Sequence, residues 1–164
     1  MRNKLCLLVC AIGFLVGGTS IASDLLTPHA AEYKVRISVL GGKLKTRIEK
    51  TESGYFAESS IVATGMSRIL AHGTIRESSE IGNWNDGLHP QRFRSTDTLT
   101  KGGQSVDLTF DWDNHAVVGL IDGADFHADL EGNVHDRVSL QYGLMADLLS
   151  GVERAEYALQ DASG

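Results

Sequence analysis

From Tyr33 onward the chain alternates. Tyr33, Val35, Ile37 and Val39 are apolar, and Lys34, Arg36 and Ser38 between them are polar. A period of two puts the apolar set on one face of a half-buried strand. Gly41-Gly42 reads as the hairpin turn, because glycine accepts the positive φ that two-residue turns demand. Leu44, Thr46 and Ile48 then alternate with Lys45, Arg47 and Glu49, and Ser53-Gly54 turns the chain again. Tyr55 to Thr64 predicts a third strand with apolar residues on both faces, Ile61 and Ala63 against Phe56 and Val62, and so cover on both sides. Gly65 to Leu70 breaks the alternation and predicts a short helical crossing. Further strands are expected over 73–84, 88–96, 106–112, 115–121 and 126–130, divided by Asn85-Asp86-Gly87, Lys101-Gly102-Gly103, Asp113-Asn114 and Asp122-Gly123. Pro90 has no N–H to donate and belongs at a strand start or edge. About eight strands joined by short turns imply antiparallel neighbours. The expected fold is mainly β, an antiparallel meander curled into a barrel or half-barrel.

One segment carries a helical period. Val138, Tyr142, Met145 and Leu149 form one apolar stripe, which Leu148 widens. Asp136 is placed to cap it, and Gly151 to end it in the left-handed conformation. This predicts one covering α-helix over about residues 136–150, laid across a face or mouth of the sheet. Val152 to Leu159 reads as one more strand. Ser163-Gly164 is a turn signal, which gives the expectation of a domain truncated at its C-terminus.

The first residues follow another rule. Arg2 and Lys4 precede the apolar run Leu5 to Val16, and Ser20-Ile21-Ala22 offers small residues at the positions a signal peptidase reads. The run is shorter than the roughly 20 residues a spanning helix needs. Residues 1–22 are therefore expected to be a cleaved signal peptide, leaving 23–164 as a single β-rich domain, periplasmic or secreted, with no transmembrane span. Cys6 and Cys10 leave with the leader, so no disulfide, thiol nucleophile or thiolate metal site is expected. The formal net charge of −6 becomes −8, with 13 basic residues against 21 acidic ones. That balance argues against nucleic acid as a partner, which calls for a basic face.

Several patches resemble an exported bacterial family described as domain of unknown function 3108. They are Tyr33-Lys34-Val35, Gly54-Tyr55, Ala63-Thr64-Gly65, Gly87-Leu88-His89-Pro90-Gln91-Arg92-Phe93, Phe110-Asp111-Trp112, and Asp136-Arg137-Val138-Ser139-Leu140-Gln141-Tyr142. The resemblance covers about residues 30–160 and implies an exported β-rich domain with no assigned activity. A looser architectural similarity is to periplasmic lipoprotein-carrier half-barrels with a helical lid, an analogy of fold alone.

Chemistry-bearing clusters are few. Asp122, Asp125, His127 and Asp129 are the best metal candidates, since carboxylate and imidazole suit divalent cations. The same alternation is also the ordinary solvated face of a strand, with Phe126, Ala128 and Leu130 inside. Asp111, Asp113 and His115 flank a turn, and Ser139 is placed for local hydrogen bonding at a helix start. Arg92 and Arg94, alternating with Phe93, read either as forks for an anionic ligand or as a solvated face paired with nearby acids. Lys34, Arg36, Lys43, Lys45 and Arg47 put five positive charges on one hairpin, either edge protection or a surface for an anionic partner. No nucleophile elbow, phosphate loop or dinucleotide fingerprint occurs. No residue is assigned to catalysis, to a metal or to a cofactor.

A curled sheet with an incompletely filled interior can hold an apolar ligand in its mouth. The expected function is a non-enzymatic binding or carrier module for an apolar or lipid-like small molecule. Val35, Ile37, Ile61, Val106, Leu108, Phe110, Tyr142 and Met145 are the candidate lining. The alternatives are an envelope assembly or scaffolding protein, which binds another protein through its open edge or basic hairpin, and a metal-dependent hydrolase using Asp125, His127 and Asp129.

Overall fold

The computed structural model describes residues 26–37, 40–84 and 87–160. Eight strands, in sheet order identical to chain order, form one antiparallel meander: β1 (His29–Ile37), β2 (Leu40–Lys50), β3 (Gly54–Thr64), β4 (Thr74–Trp84), β5 (Gly87–Asp97), β6 (Ser105–Asp111), β7 (Ala116–Ile121) and β8 (Ala124–Asp129). Among the described residues β8 does not pair back to β1, so the sheet is curled but unclosed. A four-residue helix α1 (Ser67–Leu70) joins β3 to β4. After β8 come the two-residue strand β9 (Val134–His135), the helix α2 (Ser139–Leu149) and β10 (Ala158–Leu159). The mainly β class, the meander and its one covering helix match the expectation from period and turns. The segment expected to be a signal peptide, with Cys6 and Cys10, lies outside the described residues.

Three local expectations need correcting. The first hairpin closes at Ile37–Leu40, so its reversal falls at 38–39, outside the described residues, rather than at Gly41-Gly42. Gly42 is paired inside β2, where a Cβ would lie 3.0 Å from Val35 Cγ2 and 3.2 Å from the Val62 carbonyl oxygen. Close strand approach, not turn conformation, is what glycine serves there. The double cover expected of β3 is only partial: Phe56 and Val62 on the outward face are half-buried, as is Ile61 on the inward one. Finally, residues 152–157 form no strand, and only Ala158 and Leu159 pair, in parallel with Val134 and His135.

Pro90 obeys its constraint. The β4–β5 register shifts beside it, with Pro90 opposite Ile81 and Arg92 opposite Glu80. The β5–β6 ladder runs only from Arg92 to Thr96. Pro90 therefore sits on a free stretch of strand edge next to a bulge, where a missing N–H does no harm.

Register across the sheet explains where the core lies. One row of inward positions runs Ile48, Ala57, Ser79, Phe93, Leu108. Together with Tyr55, Ile81, Leu88, Phe110 and Val117 these residues are buried, and Val138, just ahead of α2, caps them with Tyr142 and Ala146 of α2. The next row is polar across β2 to β5, at Thr46, Ser59, Glu77 and Ser95, and runs on into the buried Val106 of β6. Arg137, just ahead of α2, closes that row by pairing with Glu77 at 2.7 Å, with its guanidinium 5.7 Å from the Phe93 ring centre. Beyond it the inward positions turn apolar again at Tyr33, Leu44, Ile61 and Ile75, and this row is only part-covered.

The expected cap of α2 is present. Asp136 Oδ1 accepts the Val138 and Ser139 N–H groups at 2.7 and 2.8 Å, and Ser79 donates its hydroxyl to Oδ2 at 2.6 Å. Ser139 Oγ in turn accepts the Asp136 N–H at 3.0 Å, the reciprocal arrangement of a capping box. Burial pushes the Asp136 carboxyl up, against the pull of those hydrogen bonds. At the far end Gly151 has φ +79°, and the Val152 N–H reaches back to the Asp147 carbonyl. The stripe outruns its cover: Met145 packs on the core, but Leu148 and Leu149 are exposed.

Candidate functional site

Two places on the molecule are built for contact. The first is the open end of the curled sheet. Above the polar row, Val35, Leu44, Ile61 and Ile75 are half-buried and Tyr33 is 50% exposed. Helix α1 lies against β2 and β3 at that end, anchored where the Gly41 N–H donates to Ser67 Oγ at 2.7 Å. Met66, Ile69 and Leu70 there are 78%, 66% and 76% exposed. So many apolar side chains left in water at one end is unusual for a soluble domain, and such patches mark contact surfaces.

The candidate lining residues divide between the two halves of the sheet. Val35 and Ile61 belong to the open end, and the side chain of Ile37 lies outside the described ones. Val106, Leu108, Phe110 and Tyr142 are at most 3% exposed and belong to the packed core, with Met145 against it.

The second place is a cleft of about 380 Å³ at the opposite end of the sheet, where β4, β5, β9 and α2 meet beside the turn that follows β6. Trp84, His89, Trp112, His115, Asn133, His135 and Asp147 line it, with Leu88, Leu130 and Gly143. The Trp112 indole N–H donates to the Pro90 carbonyl at 2.7 Å, so the bulge at Pro90 also fixes this ring. His89 lies 4.6 Å from Trp112 and 5.5 Å from His135, ring centre to ring centre. His135 is 1% exposed and lies over Gly143, where a Cβ would come within 2.5 Å of its Cε1. Its Nε2 is 2.9 Å from Asn133 Oδ1. An amide oxygen only accepts, so the ring carries its proton on Nε2 and leaves Nδ1 as a bare lone pair. Nδ1 of both His89 and His135 is buried without a hydrogen-bond partner. Burial holds both imidazoles below their usual range, His135 at about 4. Behind them Tyr157 donates to Asp147 Oδ2 at 2.7 Å and turns its ring edge to His135. Strand β10 holds that segment: the Gln160 N–H reaches the His135 carbonyl at 2.8 Å.

The residues singled out from sequence fall elsewhere, with one exception. Asp125, His127 and Asp129 share the exposed face of β8, while Asp122 Oδ1 accepts the Ser105 N–H across a turn. Among the described residues no three His, Cys, Asp or Glu side chains are grouped to hold a metal ion. Asp111 closes its own turn on Asn114, and Ser139 makes the local bonds expected of it. The exception is His115, which reaches the cleft. Arg92 makes a two-pronged pair with Asp107 at 2.8 and 2.7 Å, and Arg94 reaches Glu80 at 3.1 Å. In the basic hairpin Lys43 and Lys45 both meet Glu32, and Arg47 meets Glu49 and Glu58. His89 and His135 carry no spacing signal, being 46 positions apart. The one available clue was Gly143: glycine inside a helical stripe costs about 1 kcal/mol and marks a close approach.

No family model matches the chain, and neither a curated protein nor a solved structure matches it significantly. Among the described residues no helix is long and apolar enough to cross a membrane.

Proposed function

We propose that the protein is an exported, non-enzymatic binding or carrier module for an apolar, lipid-like molecule, taken up at the open end of the sheet. The observation that carries this is the row order on the inward face. A packed core ends at a polar row sealed by Arg137 and Glu77, and beyond that seal apolar positions resume without full cover. A half-covered apolar trough bordered by the exposed Met66, Ile69 and Leu70 suits an extended acyl chain, because each methylene removed from water contributes about 0.8 kcal/mol. Export through a cleaved leader at residues 1–22, and the likeness to the exported family, belong to the same proposal.

The test is titration of the purified chain with a fluorescent 16-carbon fatty acid, beside native mass spectrometry of protein taken from an exporting host. Saturable one-to-one binding that Ile61→Glu abolishes is the expected result. Absence of both saturable binding and any acyl adduct would sink the carrier assignment. Stoichiometric recovery of a protein partner in place of lipid would favour the scaffolding alternative.

A further inference from the structure

We propose that the cleft between β4, β5, β9 and α2 is a site for a divalent d-block metal ion, with Nδ1 of His89 and Nδ1 of His135 as its ligands. Both atoms are buried and have no hydrogen-bond partner. A buried polar atom without a partner costs about 1–3 kcal/mol, and here two stand on neighbouring rings in one cleft. His135 is more than nine-tenths buried, and Asn133 fixes its tautomer so that the unpartnered atom is a lone pair. A lone pair calls for a donor or a cation. The pattern is that of a metal-binding histidine, whose other ring nitrogen is held by an acceptor behind it.

The lining agrees in charge. It holds no lysine or arginine, and its one carboxylate, Asp147, is oriented by the Tyr157 hydroxyl. Trp84 and Trp112 line the cleft as well, and an indole face attracts a cation rather than an anion. The spacing suits one ion. With metal–nitrogen bonds of about 2.0–2.1 Å, two imidazoles at an angle of roughly 110–120° place their ring centres about 5–5.5 Å apart. The observed separation is 5.5 Å with the ring planes 21° from parallel, so binding turns the rings to aim both Nδ1 lone pairs at one point. Imidazole suits zinc, copper and nickel, whereas magnesium and calcium take oxygen. Among the described residues no third His, Cys, Asp or Glu completes the set, so the other positions on the ion are left to exchangeable ligands. The site is independent of the apolar end and stands whether or not a lipid binds there.

The experiment uses untagged chain stripped with chelator and titrated with zinc chloride by calorimetry. One ion per chain is expected, with a dissociation constant below about 50 µM. His89→Gln and His135→Gln should each weaken it at least about tenfold, while His72→Gln with His127→Gln leaves it unchanged. Copper(II) loaded onto the unmutated chain gives a reading that needs no variant: its paramagnetic spectrum should show coupling to two imidazole nitrogens. Unchanged zinc binding in the His89→Gln/His135→Gln double variant, coupling to fewer than two nitrogens, or the lack of one-to-one binding below that limit would each overturn the assignment.

Discussion

Asp136 ties together segments far apart in the chain. It is fully buried, caps α2 through two backbone N–H groups, and ties the helix to β4 through Ser79. Asp136→Ala removes the cap and leaves three buried donors unpaired. Cap loss costs about 0.5–2 kcal/mol and each orphaned donor about 1–3 kcal/mol before relaxation. We expect urea unfolding to show a loss of about 3 kcal/mol, and Asp136→Asn, which keeps an acceptor, to lose less than half of that. Gly143 sets two effects against each other. Helix propensity alone says that Gly143→Ala should stabilise by about 1 kcal/mol. The methyl group, however, would meet His135 at 2.5 Å, and overpacking costs about 1–3 kcal/mol. The expected sign is destabilisation, and a raised thermal midpoint would show that the His135 ring can move aside.

At the scale of elements, the pleat was easy to read. Alternation places Phe126, Ala128 and Leu130 inward and Asp125, His127 and Asp129 outward along 125–130, because a period of two sends neighbours to opposite faces. Asp136 and Gly151 at the helix ends were equally legible, since capping chemistry is local. The first turn was misread, because glycine pairs satisfy both turn conformation and close strand approach, and only the register separates the two. The histidine cleft was invisible for a different reason: His89, Trp112, His135 and Asp147 meet only through pairing and helix docking across distant segments. The outer faces of β5 and β6 carry a prediction of their own. The hydrogen bond from Arg92, the main influence, holds the Asp107 carboxyl below its usual range. A carboxyl depressed in the fold stabilises above its unfolded pKa, near 3.9, and that contribution fades as pH falls through the folded value. Arg92→Ala should therefore lower stability slightly at pH 7, and by less as the pH falls below the ordinary carboxylate range. Both side chains are about 40% exposed, so the effect should stay within the roughly 0–1 kcal/mol of surface pairs and shrink with salt.

For the whole molecule, stability is concentrated at one end. Helix α2 packs over β4 and β5, and the buried residues cluster beneath it. Amide exchange should be slowest in β4 and β5 and faster toward β1 and β8, whose outer edges have no paired strand among the described residues. Uniform protection across all eight strands would mean that something covers those edges in solution. The meander has one more consequence. Each strand of the main sheet is hydrogen-bonded only to the strands just before and after it in the chain. A polypeptide delivered N-terminus first through a narrow channel can thus zip up one hairpin at a time, each arriving segment finding its mate already in place. The last step is then the lid swinging down, and until Asp136 has met Ser79 the greasy interior stays open to whatever waits outside.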